Sequence, residues 1–96
     1  MSPLKKKKLS KIRIDLDKLD NILIKIIKKR TNLVKKVLAL KEKKNQIVDK
    51  KRIKKILKNI KKKSINNKID PRITEKIWKN MISAYIDFEK RNFKKK

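Results

Sequence analysis

Residues 9–43 read LSKIRIDLDKLDNILIKIIKKRTNLVKKVLALKEK, and this stretch decides the fold of the chain. Its apolar residues recur every three or four positions, with one wider gap between Ile26 and Leu33 in which Arg30 stands. This spacing predicts one long amphipathic helix, because it keeps the apolar side chains on one side of the helix axis. We call these residues the apolar seam; they are Leu9, Ile12, Leu16, Leu19, Leu23, Ile26, Leu33, Val37 and Leu40.

The length of this helix indicates an assembly. At 1.5 Å per residue, a helix over residues 9–43 is roughly 50 Å long. A compact chain of 96 residues has a radius of gyration of only about 12–13 Å. Because the remaining segments are too short to cover the whole apolar seam, the sequence predicts an obligate dimer in which a helix of a second copy covers it.

The fold class predicted is all-α, with three helices. The chain has no glycine and two prolines, and its isoleucines recur at helical spacing without the alternation typical of strands. We expect one domain over residues 9–93, preceded by a disordered basic arm of residues 1–8 and followed by a basic tail of residues 94–96. Ser10 is expected to cap the first helix.

Two shorter helices are predicted after the long one. After a break at residues 44–48, Asp49 is expected to be the N-cap of the second helix, which ends before a loop at residues 64–69. Asp70 followed by Pro71 is the strongest helix-start signal in the chain, because proline suits the first helical position and aspartate accepts from the backbone N–H groups there. The third helix then runs to the end of the predicted domain.

The residue types that the chain lacks limit its chemistry. Without cysteine and histidine, it has no disulfide, thiol nucleophile, imidazole base or ordinary zinc site, and no metal is expected. The basic N-terminus lacks the apolar core of a signal peptide, and no apolar run is long enough to span a membrane. We therefore expect a cytoplasmic protein.

The net charge of +25, from 34 basic and 9 acidic residues, leaves several interpretations open. Such a charge is typical of proteins that bind nucleic acid or another anionic surface. The abundance of Lys, Ile and Asn also fits a genome-wide preference for A/T-rich codons, in which case most lysines form solvated helix faces. The four aromatic residues do not interleave with the lysines as a stacking platform requires, so no specific nucleic acid is expected. A purely structural dimer is a further possibility, with the polar seam residues setting its register.

Three charged residues occupy positions that the apolar pattern reserves for hydrophobic ones. Arg30 lies on the apolar seam, Lys41 follows it by eleven residues, and Glu89 continues the apolar stripe of the third helix. Buried charges are costly unless they are paired or functional. Each one alone can be explained as a snorkelling or paired side chain, but together they indicate a cationic pocket with one carboxyl group. Arg13 lies about 25 Å from Arg30 along the helix, so only the Arg13 of a partner chain could reach that pocket.

The same residues stand at a spacing that matches a known family. They are Ile12-Arg13, Leu19-Asp20, Ile22-Leu23, Lys29-Arg30, Val37 and Lys41, then Asp49 with Arg52, and finally Ile69-Asp70-Pro71. In this pattern the chain resembles the all-helical chorismate mutases from about Leu9 to Phe93. The resemblance implies an intertwined antiparallel homodimer of three-helix chains. It also implies the conversion of chorismate to prephenate in aromatic amino acid biosynthesis, without a cofactor.

The resemblance further implies the catalytic roles. Arg30 and the Arg13 of a partner chain would clamp carboxylates of the dianionic substrate. Lys41 would contact a carboxylate and the ether oxygen, and Glu89 would face the same oxygen. A hydrogen bond from Glu89 requires its protonated form, because an ionised carboxylate has no donor. Such a rearrangement needs a compressed conformer and stabilisation of the negative charge that grows on the breaking C–O bond.

Four further residues are implied in substrate binding, and two of them depart from the family pattern. Arg52 would supply another cation from the second helix, and Asp49 would shape the loop before it. Ile53 stands where many members carry a glutamate, and Tyr85 stands where a serine is usual. Both departures make the site similar to that of the isochorismate-pyruvate lyases, which use the same fold. Chorismate mutase is preferred because prephenate is a general biosynthetic need, and the lyase is the alternative.

Overall fold

The computed structural model describes residues 1–94, which form helices joined by short loops and contain no strand, so the predicted all-α class is confirmed. Residues 95 and 96 of the predicted basic tail lie outside the described residues. Four helical elements follow one another in the described part of the chain: α1 (Pro3–Leu40), a 3₁₀ turn (Lys44–Gln46), α2 (Lys50–Asn66) and α3 (Pro71–Asn92).

Helix α1 begins earlier than the sequence pattern predicts. It starts at Pro3 and not at Leu9, so the expected disordered arm over residues 1–8 is helical from Pro3 onward. The side-chain oxygen of Ser2 accepts a hydrogen bond from the backbone N–H of Lys5 at 3.3 Å. Ser2 therefore acts as the cap that was expected of Ser10, with proline in the first turn where its missing N–H costs nothing. Lysine is a good helix former, so the basic run that follows continues the helix.

Helix α1 also ends earlier than predicted, at Leu40, so Lys41 lies just beyond it. The N–H of Lys41 bonds to the carbonyl oxygen of Leu38 at 3.1 Å, which tightens the last turn. The backbone N–H groups of Glu42 and Lys43 bond to the side-chain oxygen of Gln46 in the following loop, so they do not continue the helical hydrogen-bond pattern. The local hydrogen bonds of that loop thus compete with helix propagation, which hydrophobic spacing alone does not reveal.

Both predicted aspartate caps are confirmed. The carboxylate of Asp49 accepts from the backbone N–H of Arg52 at 3.0 Å and begins α2. The carboxylate of Asp70 accepts from the backbone N–H of Arg72 at 2.9 Å, with Pro71 in the first turn of α3. Each cap satisfies a backbone donor that has no partner inside its helix.

Helix α2 continues past the point where a loop was predicted. It ends at Asn66, and Ser64 is a buried member of the helix. The hydroxyl of Ser64 donates to the carbonyl oxygen of Ile60 at 2.6 Å and lies 2.6 Å from the hydroxyl of Thr74 on α3. A polar residue is stable here because both helices supply it with partners. The turn to α3 then uses Lys68 at a φ of 57°, in a chain without glycine.

The contacts of the chain divide it into two units, Met1–Val34 and Lys35–Lys96. In the second unit α2 packs along α3, and Ile47 is the buried hydrophobic residue among those described. Helix α1 has residues in both units, and none of them is buried. Every seam residue from Ile12 to Leu40 exposes at least half of its surface. The single domain over residues 9–93 stays a prediction. Within residues 1–94, none of the helices has the length and apolar character that crossing a membrane requires.

Candidate functional site

Glu89 is the buried acidic residue of α3. Its spacing places it on the same helix face as Ile82, Tyr85 and Ile86, all three half-buried, and it exposes only 6% of its surface. An isolated carboxylate in such surroundings would be costly. Glu89 therefore requires a partner, and the structure supplies one from the other end of the second unit's sequence.

That partner is Lys41, the residue directly after α1. Its ammonium nitrogen lies 3.3 Å from Oε2 of Glu89 and 3.3 Å from the carbonyl oxygen of Ile47, and it donates to both. The Lys41 side chain is 18% exposed and the Glu89 side chain 8% exposed, so both members of the ion pair are largely shielded from solvent. Two of the charged residues that interrupt the apolar pattern thus lie together.

The loop between α1 and α2 is closed by its own hydrogen bonds. The side-chain oxygen of Gln46 accepts from the backbone N–H groups of Glu42 at 2.8 Å and of Lys43 at 2.9 Å. The next residue, Ile47, exposes only 3% of its surface and carries the carbonyl that Lys41 contacts. Sequence reasoning missed Gln46. The signal available was a glutamine three residues after Lys43, the N-cap of the helical turn, which is the spacing of a capping box.

An open cleft of about 700 Å³ lies beside this loop in the second unit. Three lysines and one aspartate line it, so its electrostatic character favours an anion, while apolar side chains supply a hydrophobic wall. Its lining residues are Val37, Leu40, Lys41, Gln46, Val48, Asp49, Lys50 and Lys51. The cleft can therefore hold a small organic anion beside Lys41.

The other site residues predicted in the second unit lie on α2 and α3. The carboxylate of Asp49 lines the cleft and also caps α2 by accepting from the backbone of Arg52. Arg52 is exposed in the first turn of α2, Ile53 is half-buried in the same turn, and Tyr85 is half-buried one turn before Glu89. The structure thus brings Asp49 to the same cleft as Lys41, which the sequence did not predict by spacing alone.

The two arginines predicted in the site belong to the first unit. Arg30 is half-buried and Arg13 is exposed, and both are part of α1. Seventeen residues of helix separate them by about 25 Å, so they cannot hold one small ligand within a single chain. The structure leaves the predicted roles of these two residues as proposals.

Two acidic groups outside the site have shifted pKa values. Hydrogen bonds from the Arg72 side chain, and secondarily from its backbone N–H, hold the pKa of Asp70 below its ordinary value of 3.8. The hydrogen bond and charge of Lys79 likewise lower the pKa of Glu75. Among residues 1–94 no cluster of acidic side chains has the composition of a metal site.

The comparison with known proteins identifies one family. Residues 12–90 match the family model of chorismate mutase type II. This range includes every predicted site residue, from Arg13 to Glu89. No curated protein and no solved structure matches the chain.

Proposed function

The chain belongs to the chorismate mutase type II family, and we propose that it rearranges chorismate to prephenate in the cleft beside Lys41. The observation that carries the proposal is Lys41 itself, which lines that cationic cleft and whose ammonium group is paired with the buried carboxyl group of Glu89. The family accounts for the reaction type. The cleft accounts for how this chain could hold its dianionic substrate.

The reaction suits the residues that the chain contains. A pericyclic rearrangement needs no nucleophile and no base, so the lack of histidine and cysteine is no obstacle. It needs the substrate held in a reactive conformer, and it needs donors directed at the ether oxygen, where negative charge grows as the C–O bond breaks. Lys41 is such a donor, because its ammonium group has three N–H bonds and can contact a carboxylate and the ether oxygen together.

Glu89 completes the site in its protonated form. In the free protein its carboxylate accepts from Lys41. A bound dianion would draw the Lys41 ammonium group toward itself and bring negative charge close to Glu89. An ionised carboxylate would have no hydrogen to donate to the ether oxygen. The protonated group can donate to it.

We propose that the working protein is an intertwined antiparallel homodimer. The support is the apolar seam of α1, whose residues from Ile12 to Leu40 expose at least half of their surface in the single chain. Covering a leucine or isoleucine side chain completely contributes about 1.5–3 kcal/mol. A second copy offers a matching seam, and in the antiparallel arrangement its Arg13 would join Arg30 in binding the substrate carboxylates.

The remaining proposed contacts lie on α2 and α3. Arg52 would add a cation from the first turn of α2, with Asp49 holding that turn in place through its cap. Ile53 and Tyr85 would contact the ring of the substrate. These two residues favour a second candidate, isochorismate-pyruvate lyase, because Ile53 lacks the carboxylate and Tyr85 replaces the small serine that are usual in the mutases.

The other interpretations find less support. All four aromatic residues, Trp78, Tyr85, Phe88 and Phe93, are half-buried, so their rings are not displayed for stacking on bases. A structural dimer without activity does not explain why a lysine that lines a cationic cleft is paired with a buried carboxyl group. A cytoplasmic location is proposed, as for an enzyme of aromatic amino acid biosynthesis.

One experiment tests the function and separates the two candidate substrates. The purified protein is incubated with chorismate and, separately, with isochorismate, and the products are identified by mass spectrometry and chromatography. Formation of prephenate from chorismate supports the mutase. Formation of salicylate and pyruvate from isochorismate, with no conversion of chorismate, supports the lyase. Conversion of neither substrate would refute the proposed function.

A further inference from the structure

The loop between Lys41 and Ile47 contains an interaction that the proposed function does not use. One side-chain oxygen, that of Gln46, accepts hydrogen bonds from two consecutive backbone N–H groups, at 2.8 Å and 2.9 Å. The donors belong to Glu42 and Lys43, the two residues directly after Lys41. We propose that Gln46 is a positioning residue that holds the ammonium group of Lys41 against Glu89.

The backbone geometry explains why such a restraint is needed. Helix α1 ends at Leu40, so the segment that carries Lys41 lacks a continuous helical ladder. Lys43 has extended dihedral angles, φ −127° and ψ 144°. Its N–H group and that of Glu42 take the Gln46 oxygen as their acceptor. A lysine side chain is long and flexible, and its charged end is placed accurately only if its own backbone is fixed.

The same loop also contacts the end of the Lys41 side chain. Gln46 is bonded directly to Ile47, which is buried and whose carbonyl oxygen accepts from Nζ of Lys41 at 3.3 Å. The Gln46 side chain therefore restrains the residues after Lys41, while the adjacent carbonyl restrains the ammonium group itself. If the two bonds to Gln46 are lost, the segment from Lys41 to Lys43 gains conformational freedom, and the ammonium group is held at Glu89 for less of the time.

Gln46 is exposed and lies at the edge of the cleft beside Lys41. Its replacement opens no cavity in the core, so the fold should tolerate it. Gln46→Met keeps the length of the side chain and removes the acceptor. Gln46→Glu keeps an acceptor oxygen for both N–H groups and serves as the matched control.

The test measures how accessible Lys41 is to chemical labelling. The full-length protein is treated with a limiting amount of acetic anhydride, and the acetylation of each lysine is read by peptide mass spectrometry. Exposed Lys44 is the internal reference. In the wild-type protein Lys41 should react more slowly than Lys44, because its ammonium group is paired and shielded. Gln46→Met should raise the relative rate at Lys41 roughly tenfold, the effect of losing hydrogen bonds of ordinary strength. Gln46→Glu should leave it near the wild-type value.

Three outcomes would overturn the proposal: no protection of Lys41 in the wild-type protein, unchanged protection in Gln46→Met, or equal loss of protection in both variants. If circular dichroism finds Gln46→Met unfolded, Gln46→Asn replaces it, because the shorter amide cannot reach both N–H groups. This test uses no substrate, so its result stands whether or not the protein acts on chorismate.

A second measurement links the positioning to turnover, and this part rests on the proposed function. Gln46→Met should lower kcat/KM for chorismate roughly tenfold in the wild-type background and leave it unchanged in the Lys41→Met background. An equal loss in both backgrounds would show that Gln46 does not act through Lys41, since coupled residues give non-additive effects. Absence of turnover in the wild-type protein would refute the proposed function, and the labelling result would still decide the role of Gln46.

Discussion

The ammonium nitrogen of Lys41, just after α1, lies 3.3 Å from Oε2 of Glu89, near the end of α3. This distance is longer than the 2.7–2.9 Å typical of a charge-assisted hydrogen bond. The two groups are therefore close enough to compensate each other's charge, while the ammonium group stays available to a stronger acceptor. In this arrangement one ion pair can stabilise the free protein and also supply the cation that a dianionic substrate needs.

The first prediction concerns the stability that this pair provides. Lys41→Met leaves the largely buried Glu89 carboxylate without its partner, and we expect a loss of about 1–3 kcal/mol in the free energy of unfolding. Glu89→Gln should cost less, because the amide oxygen still accepts from Lys41. Urea unfolding of both variants at neutral pH provides the comparison. A Lys41→Met protein as stable as the wild type would show that the pair contributes nothing to folding.

The second prediction concerns the dimer. Leu23→Asp places a charge in the apolar seam of α1, and burying it against a second copy would be costly. The wild-type protein should sediment as a dimer at micromolar concentration, and Leu23→Asp should be a monomer or unfolded. The control is Lys28→Asp, which places the same residue on the opposite side of α1 and should remain dimeric. A folded wild-type monomer at micromolar concentration in analytical ultracentrifugation would contradict the prediction.

The third prediction concerns the sharing of each site between two chains. Arg13→Ala and Arg30→Ala should each be nearly inactive, with a loss of about 2–5 kcal/mol in transition-state binding for a buried charged contact. When the two variants exchange subunits, one site of each heterodimer contains both arginines, and activity should return. Mixing under exchange conditions with a chorismate assay measures this. Failure to recover activity despite demonstrated exchange would refute the shared site.

Arg30→Lys tests the geometry of the same contact. The substitution keeps the charge but loses the planar fork that binds a carboxylate through two hydrogen bonds. We therefore expect a large fall in kcat/KM for this variant as well. Near-normal activity would indicate that Arg30 is only a charged residue on the seam.

The sequence alone predicted the features that depend on neighbouring residues, and it did not predict those that depend on residues distant in the chain. The starts of α2 and α3 were predictable, because Asp49 and Asp70 bond to backbone groups two or three residues away. The continuation of α2 through Ser64 was not, because its partner Thr74 is ten residues distant and on another helix. The early start of α1 was missed because a lysine run reads equally well as a disordered arm or as a helix.

The candidate site likewise has one feature that the sequence predicted and one that it did not. The break in the apolar pattern at Glu89 indicated a buried carboxyl group that needs a partner, and the structure places Lys41 there. The restraint on Lys41 could not be predicted, because Gln46 acts through backbone N–H groups whose orientation depends on where α1 ends. Hydrophobic spacing does not locate the end of a helix to the exact residue.

The fourth prediction concerns the pH dependence of stability at the start of α3. Because hydrogen bonds from Arg72 lower the pKa of Asp70 below 3.8, the contribution of this carboxylate is complete above that pH and is lost as the pH falls below it. Asp70→Ala should lower the melting temperature at neutral pH, where the cap is formed. Asp70→Asn still caps the helix and should melt closer to the wild type, with a weaker dependence on acid. The prediction is contradicted if the melting temperatures of all three proteins change with pH by the same amount between pH 2 and pH 7.

The last prediction concerns the protonation of Glu89 during turnover. The carboxyl group can donate to the ether oxygen only when it is protonated, and as an anion it would also repel the charge that develops on that oxygen. The free protein holds its Oε2 atom 3.3 Å from the ammonium nitrogen of Lys41. We therefore expect kcat to fall as the pH rises and the carboxyl group in the substrate complex loses its proton.

Glu89→Gln separates this effect from other sources of pH dependence. The amide donates at every pH, so the variant should keep substantial activity and show a flatter profile of kcat against pH than the wild type. Glu89→Ala, which has no donor, should be slow throughout. The rates are to be measured with saturating chorismate across acidic and neutral pH. An inactive Glu89→Gln variant, or a wild-type profile that is already flat, would mean that Glu89 serves only as the structural partner of Lys41.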